Sequence, residues 1–162
     1  MIKLILNILI RAIKTGVALD KTLAADFECL PNNYIIKINV LPKNISVCIR
    51  CMDGKIFNVV QEPNKVDLLV EFKDQKSAVN CLLGKNSLAT AFCEHRIKIY
   101  GNINNAMALT RIVNTIECYL YPKLIYGKLF NPTPKLEVSK FKFYLTMLFG
   151  GNLWNTLSFI AQ

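Results

Sequence analysis

Cys48-Ile49-Arg50-Cys51 is the pattern in this chain with the most obvious chemical promise. Two thiols three positions apart can hold zinc or cycle as a disulfide, and Cys93-Glu94-His95 could add further soft donors. Zinc ligands at that spacing sit on a tight knuckle that aims both sulfurs at one ion. Asn44 to Met52 instead alternates as a strand does, and strand residues three apart point to opposite faces. No strand-to-helix junction follows that would lower a thiol pKa. The sequence therefore predicts neither a metal site nor a redox pair. All six cysteines (Cys29, Cys48, Cys51, Cys81, Cys93 and Cys118) lie mostly inside apolar stretches without framework spacing, and they read as reduced core residues.

Other catalytic chemistry is equally thin. The only histidine, His95, falls in a short turn, where a surface or capping role is commoner than a general base. The 11 acidic residues offer no pair spaced to share a helix face beside a nucleophile. No glycine-rich phosphate loop, HExxH or GxSxG is present. The expectation is a protein that is not an enzyme and uses no cofactor.

Composition points elsewhere. With 52% apolar residues, the chain lies on the greasy side of globular usage, which runs at about 45–50%. A chain of 162 residues has the length of one domain that buries about two thirds of its unfolded surface. The apolar excess could line an internal cavity, form a subunit interface or rest on a membrane. The net charge of +9 calls for an anionic partner. Nucleic acid fits poorly, because the basic residues are singletons among aliphatics, without an Arg cluster or an aromatic RNA-binding pair. An anionic membrane surface fits better, since Lys3, Arg11, Lys14 and Lys21 punctuate one greasy end and Lys123, Lys128, Lys135, Lys140 and Lys142 the other. No apolar run reaches the eighteen or so residues of a spanning helix. Asn7, Arg11 and Lys14 also interrupt the first apolar run where a signal peptide would be uncharged. A cytoplasmic protein able to lie peripherally on a membrane is the expectation.

The elements follow from periodicity. Residues 1 to about 25 predict one long helix with a polar stripe of Lys3, Asn7, Arg11 and Lys14 and a wide apolar arc. That arc suits a helix against a partner copy and a helix in a membrane interface equally. Strands are expected at Tyr34–Leu41, Ile45–Met52 and Lys55–Val60, with Asp53-Gly54 as a hairpin turn between the last two. A fourth strand runs from Val66 to Phe72 and a fifth from Arg96 to Tyr100. Between them Asp74 caps a helix to Leu83, Gly84 ends it, and Ser87 begins another to Glu94. Asn102 starts a longer helix that ends near Tyr121-Pro122. Residues 127–139 read as a linker, and Phe141–Ile160 as two short helices broken at Gly150-Gly151. The reading is thus one domain over residues 1–162, with a core at 34–121 and terminal helices at 1–25 and 138–161.

The order and spacing from Val66 to Leu109 resemble the sterol-carrier-protein-2 family of lipid-binding domains. The resemblance is carried by Val66 to Phe72 followed by Asp74, by Leu82-Leu83-Gly84-Lys85-Asn86-Ser87, by Ala91-Phe92, and by Arg96-Ile97-Lys98-Ile99-Tyr100-Gly101-Asn102 running into Ala106 and Leu109. Two residues depart from the family pattern: His95 replaces a small turn residue, and Asn102 replaces an Asp that it matches as a helix cap. The resemblance implies an α+β fold in which a five-stranded, mainly antiparallel curved sheet is covered by helices around an apolar tunnel, with the C-terminal segment as its lid.

On that basis Phe72, Leu83, Phe92, Ile99, Met107 and Ile112 from the body, and Phe141, Leu145, Leu148 and Trp154 from the lid, are the expected ligand contacts. Lys3, Arg11 and Lys14 are the expected membrane-docking residues. The expected cargo is a hydrophobic, lipid-like molecule of sterol, fatty-acyl or isoprenoid-quinone type, bound or transferred without catalysis. Some relatives in that family are accessory factors of isoprenoid-quinone biosynthesis, which makes a quinone precursor a candidate. The alternative is a cargo-free interaction module whose apolar terminal helices form a homodimer or join a larger complex.

Overall fold

Alternating apolar residues carry the chain through three strands before it meets its first capped helix of the sheet layer. The computed structural model describes residues 1–122 and 136–149. In it β1 (Tyr34–Val40), β2 (Ile45–Met52) and β3 (Lys55–Val59) form an antiparallel meander. Asp53 (φ 50°) and Gly54 (φ 69°) turn β2 into β3. Two consecutive positive φ angles are what a two-residue hairpin of matching twist requires.

β4 (Leu68–Phe72) runs parallel to β1, with Ile36 opposite Leu68 and Val40 opposite Phe72. β5 (Ile97–Gly101) then pairs antiparallel with β4. The sheet order β3-β2-β1-β4-β5 gives an α+β fold with one parallel pair in a mainly antiparallel sheet, as expected. β1 is central and almost wholly buried, whereas β3 is an exposed edge.

The helices begin where short polar side chains can accept from their free amides. Asp74 Oδ1 accepts from the Ser77 amide at 2.7 Å ahead of α3 (Gln75–Leu82), and Ser87 Oγ accepts from the Thr90 amide at 3.0 Å ahead of α4 (Leu88–Cys93). Asn102 Oδ1 accepts from the Asn104 amide at 2.8 Å and starts α5 (Ile103–Leu120). Each of these caps stands where the sequence placed it. Gly84 closes α3 at φ 65°. His95 closes α4 at φ 56°, a left-handed position where a small residue is the easier choice.

The N-terminal segment corrects the expectation of one long helix. It is two helices, α1 (Ile2–Leu19) and α2 (Lys21–Glu28), separated at Asp20, whose backbone is extended. Asp20 Oδ1 accepts from the amides of Thr22 at 2.9 Å and Leu23 at 3.2 Å and so nucleates a new helix. Its other oxygen, Oδ2, accepts from the Tyr119 hydroxyl of α5 at 2.5 Å. Apolar periodicity runs straight through this break, which is why the capping signal was masked.

α6 (Lys140–Phe149) completes the described elements. Its buried Phe143 stacks on the Tyr119 ring at 4.5 Å between centroids, and Tyr144 donates to the Leu120 carbonyl at 2.7 Å. The first of the two expected C-terminal helices is therefore present. Gly150-Gly151, the second helix and most of the expected linker lie outside the described residues. α1 approaches α5 at Gly16, where an added Cβ would stand 2.4 Å from Ile116 Cδ1.

Asp20 combines a cap with a buried side-chain hydrogen bond, so Asp20→Ala should cost about 2–4 kcal/mol in urea unfolding. Tyr119→Phe should cost less. The double variant should lose less than the sum of the two, because both singles remove the same bond.

Candidate functional site

Register places one face of the sheet under α5. Ile38, Val70 and Ile99 lie in one row across β1, β4 and β5, and Phe72 and Ile97 form the adjoining row. Above them α5 presents Ile103, Ala106, Met107, Thr110, Val113 and Glu117, which recur at three and four residues and so make one stripe. α3 and α4 close the side with Cys81, Leu82, Leu88, Ala89 and Phe92, and α1 adds Leu9. These layers do not meet. They enclose a cavity of about 270 Å³, close to the lower end of ligand-binding pockets, which span about 300–1,000 Å³.

The cavity has two unlike ends. Phe92, Ile103 and Met107 line it yet are 44%, 55% and 55% exposed, which marks the mouth between α4 and the start of α5. Glu117, ten residues beyond Met107, is only 2% exposed. At about 1.5 Å per residue, it stands roughly 15 Å farther along the helix.

Four of the sequence-predicted residues, Phe72, Phe92, Ile99 and Met107, come together in this lining. Leu83 does not, since it is exposed at the end of α3. Ile112 is buried one turn before Ile116, on the side of α5 that meets Gly16 of α1, and is also outside the lining. Phe141, Leu145 and Leu148 are exposed on α6. That helix is held at the Leu120–Tyr121 end of α5, opposite the mouth, by Tyr144 to the Leu120 carbonyl and Lys140 to the Tyr121 carbonyl. The described part of the expected lid is thus docked at the closed end through Phe143, which the sequence reading did not single out. Trp154 lies outside the described residues. Lys3 and Arg11 are exposed on α1, with the Arg11 guanidinium donating to the Leu148 carbonyl at 3.0 Å. Lys14 is half-buried, and burial lowers its pKa.

The polar chemistry of the site is concentrated in Glu117, which sequence reasoning missed. The available signal was an acid inside Ile116-Glu117-Cys118-Tyr119-Leu120, in phase with the apolar stripe of α5. Burial pushes its carboxyl up to about 8, so it is mostly protonated at neutral pH. Its Oε2 is buried without a hydrogen-bond partner. Burial also pushes Cys81 up to about 12, so that lining thiol is no nucleophile. Cys48, Cys51, Cys81 and Cys118 are buried as expected of core cysteines, whereas Cys29 and Cys93 are exposed. Among the described residues no three His, Cys, Asp or Glu side chains gather to hold a metal, and no helix is long and apolar enough to cross a membrane.

Comparison of the architecture with solved structures returns sterol-carrier-protein-2 domains. The UbiJ-SCP2 ubiquinone synthesis protein superposes with a TM-score of 0.52 at 10% identity, over 64% of this chain and 88% of that one. A sterol carrier protein 2 like 2 from Aedes aegypti aligns at 14% identity over 68% and 98% of the two chains, with a TM-score of 0.46. Sterol carrier protein 2 from Yarrowia lipolytica in its apo form aligns at 20% identity over 64% and 84%, with a TM-score of 0.43. No family model and no curated protein matches the sequence. The chain has the sterol-carrier-protein-2 fold, extended by N-terminal helices.

The buried carboxyl ties stability to pH. Glu117 titrates near 4.5 when unfolded and near 8 when folded, so between those values the unfolded chain has released a proton that the native one keeps. Its stabilising contribution is full below pH 4.5 and is lost as pH rises towards 8, at about 1.4 kcal/mol per pH unit. Unfolding free energies from urea titrations between pH 5 and 8 should fall with that slope, and Glu117→Gln should flatten it.

Proposed function

We propose that the chain binds a lipid-like molecule in the cavity between the sheet and α5 and carries or presents it without chemical change. The observation that supports this reading most is the lining itself. Apart from Thr110 and Glu117, the lining side chains among the described residues are apolar or thiol, and the Thr110 hydroxyl donates to the Ala106 carbonyl at 2.8 Å. Moving a methylene from water into such a space is favourable by about 0.8 kcal/mol. Micromolar affinity corresponds to about 8.2 kcal/mol, so about ten buried methylenes supply it before the cost of immobilisation is subtracted. Phe72, Phe92, Ile99 and Met107 are the residues we assign to ligand contact, joined by Ile38, Val70 and Val113.

The fold likeness agrees with this reading. A sterol, a fatty-acyl lipid or a quinone precursor remains the cargo class. Membrane docking through Lys3 and Arg11 is part of the proposal, because exposed Leu4 and Ile8 share their helix with these cations. A second reading is supported by the exposed apolar side chains of α6, with Phe141 at 74%: an interaction module that buries α1 and α6 against a second copy or another protein.

Mass spectrometry of the organic extract of purified protein, beside a mock purification, tests the first reading. A hydrophobic molecule near one equivalent is expected, and Thr110→Phe, which places a ring inside the cavity, should lower its occupancy at least tenfold while circular dichroism stays native. A blank extract that persists after incubation with mixed lipid vesicles would transfer the assignment to the interaction module. Co-sedimentation with anionic vesicles should weaken in the Lys3→Glu, Arg11→Glu double variant, and unchanged binding would remove the docking role. Light scattering on the eluting chromatographic peak should show a monomer, whereas a tight dimer would favour the second reading.

A further inference from the structure

The cavity holds one group that its apolar walls do not explain. Glu117 lines the closed end, is 98% withdrawn from solvent by its 2% exposure, and has Oε2 without a partner. A buried carboxyl oxygen left unmatched costs about 1–3 kcal/mol, a cost that a leucine at the same place would not carry. The neighbouring polar groups are already committed or weak. The Tyr121 hydroxyl donates to the Leu82 carbonyl, the Thr110 hydroxyl to the Ala106 carbonyl, and the Cys81 thiol to the Ser87 carbonyl at 4.0 Å.

We propose that Glu117 is the head-group anchor of the cavity, holding the hydroxyl or carbonyl of a neutral lipid at the closed end while the tail runs past Val113 and Thr110 to the mouth at Met107. The proposal rests on the lipid-binding reading and adds the chemistry of the ligand's polar end. A protonated carboxyl offers one donor and a free acceptor, which matches an alcohol or a ketone. An ionised head group is disfavoured from both sides. Among the described residues no Lys, Arg or His lines the cavity to receive a carboxylate or phosphate. An ammonium would require a desolvated ion pair, whose burial costs several kcal/mol per ion.

The titratable groups electrostatically coupled to Glu117 are Cys81 from α3 and Cys118 and Tyr121 from its own end of α5. All three are held protonated by burial, and each pKa is raised further by Glu117. Over the range in which Glu117 titrates these three remain neutral, so the change in head-group preference belongs to Glu117 alone.

The test compares dodecane, 1-dodecanol, 2-dodecanone and dodecanoate by displacement of an uncharged, apolar fluorescent probe from the full chain. At pH 6 the alcohol and the ketone should bind at least tenfold tighter than the alkane and the acid anion. Glu117→Leu should erase that preference while retaining alkane binding. Raising the pH through about 8 should weaken the ketone in the native protein, because the donor proton is lost, but leave the alcohol in place. Glu117→Gln keeps a donor and an acceptor and should bind the ketone with no pH dependence. Should Glu117→Leu fold poorly, the glutamine variant still decides, since a ketone profile identical to that of the native chain would overturn the anchor. Equal affinity for alkane, alcohol and ketone would overturn it too, while leaving the lipid-binding reading intact. Absence of binding by every probe would overturn both.

Discussion

The carboxylate of Asp20 joins three separate parts of the chain through one side chain. It is 1% exposed, and its two oxygens serve different masters: one starts α2, the other receives the Tyr119 hydroxyl of α5. A buried charge of this kind is tolerable only when its hydrogen bonds are made. The Tyr119 oxygen in turn accepts from the Val138 amide at 3.3 Å, and the Tyr119 ring carries Phe143. One side chain thereby fixes the break between α1 and α2, the position of α5, and the return of the C-terminal segment. The burial that makes the arrangement strong also holds the Tyr119 phenol above its ordinary range.

From that fixation comes the division of labour on α5. Ile116 packs against Gly16 so closely that an added Cβ would make the Ile116 and Leu23 side-chain ends shift, which marks one side of α5 as the side packed on α1. The opposite stripe, from Ile103 to Glu117, is then free to face the sheet across a gap. Were a void of about 270 Å³ enclosed and dry, it would cost on the order of 6 kcal/mol. That is comparable with the whole stability of an ordinary domain. Such a space persists because its walls are held from outside, by the Asp20 cluster on one flank and by the ladders of β4 with β1 and β5 on the other. Filling it removes the penalty, so stabilisation and ligand binding are linked in the same free energy.

The sequence made the periphery of this design readable and left its centre obscure. Asp53-Gly54, Asp74, Ser87 and Asn102 announce their turns and caps because each satisfies a local backbone requirement that no distant residue alters. Asp20 is the same type of cap, yet it was lost inside continuous apolar periodicity, and the residue that completes it, Tyr119, lies 99 positions away. The lining divided along the same line. Phe72, Phe92, Ile99 and Met107 lie in segments whose pattern could be aligned with a known fold, and all four line the cavity. Ile112 has the same apolar character but the wrong phase on α5, and phase relative to a partner helix is not written in local periodicity. Phe141, Leu145 and Leu148 depended on where α6 docks, which Phe143 and Tyr119 decide through a long-range contact.

Polarity along the cavity also runs opposite to what surface charge alone suggests. The chain carries a net charge of +9, yet among the described residues the lining holds no cation, and its one acid is buried and mostly neutral at pH 7. In the proposed reading, attraction to an anionic surface and selection of cargo would rest on separate physics, the first long-ranged and screened by salt, the second short-ranged and set by desolvation. The mouth reinforces the separation. Phe92, Ile103 and Met107 continue the apolar path of the cavity outward, so a tail too long for the interior meets more apolar surface instead of water. A molecule seated as proposed, with its polar end at Glu117, would leave its apolar end at the opening, the orientation in which a bilayer would receive the tail first.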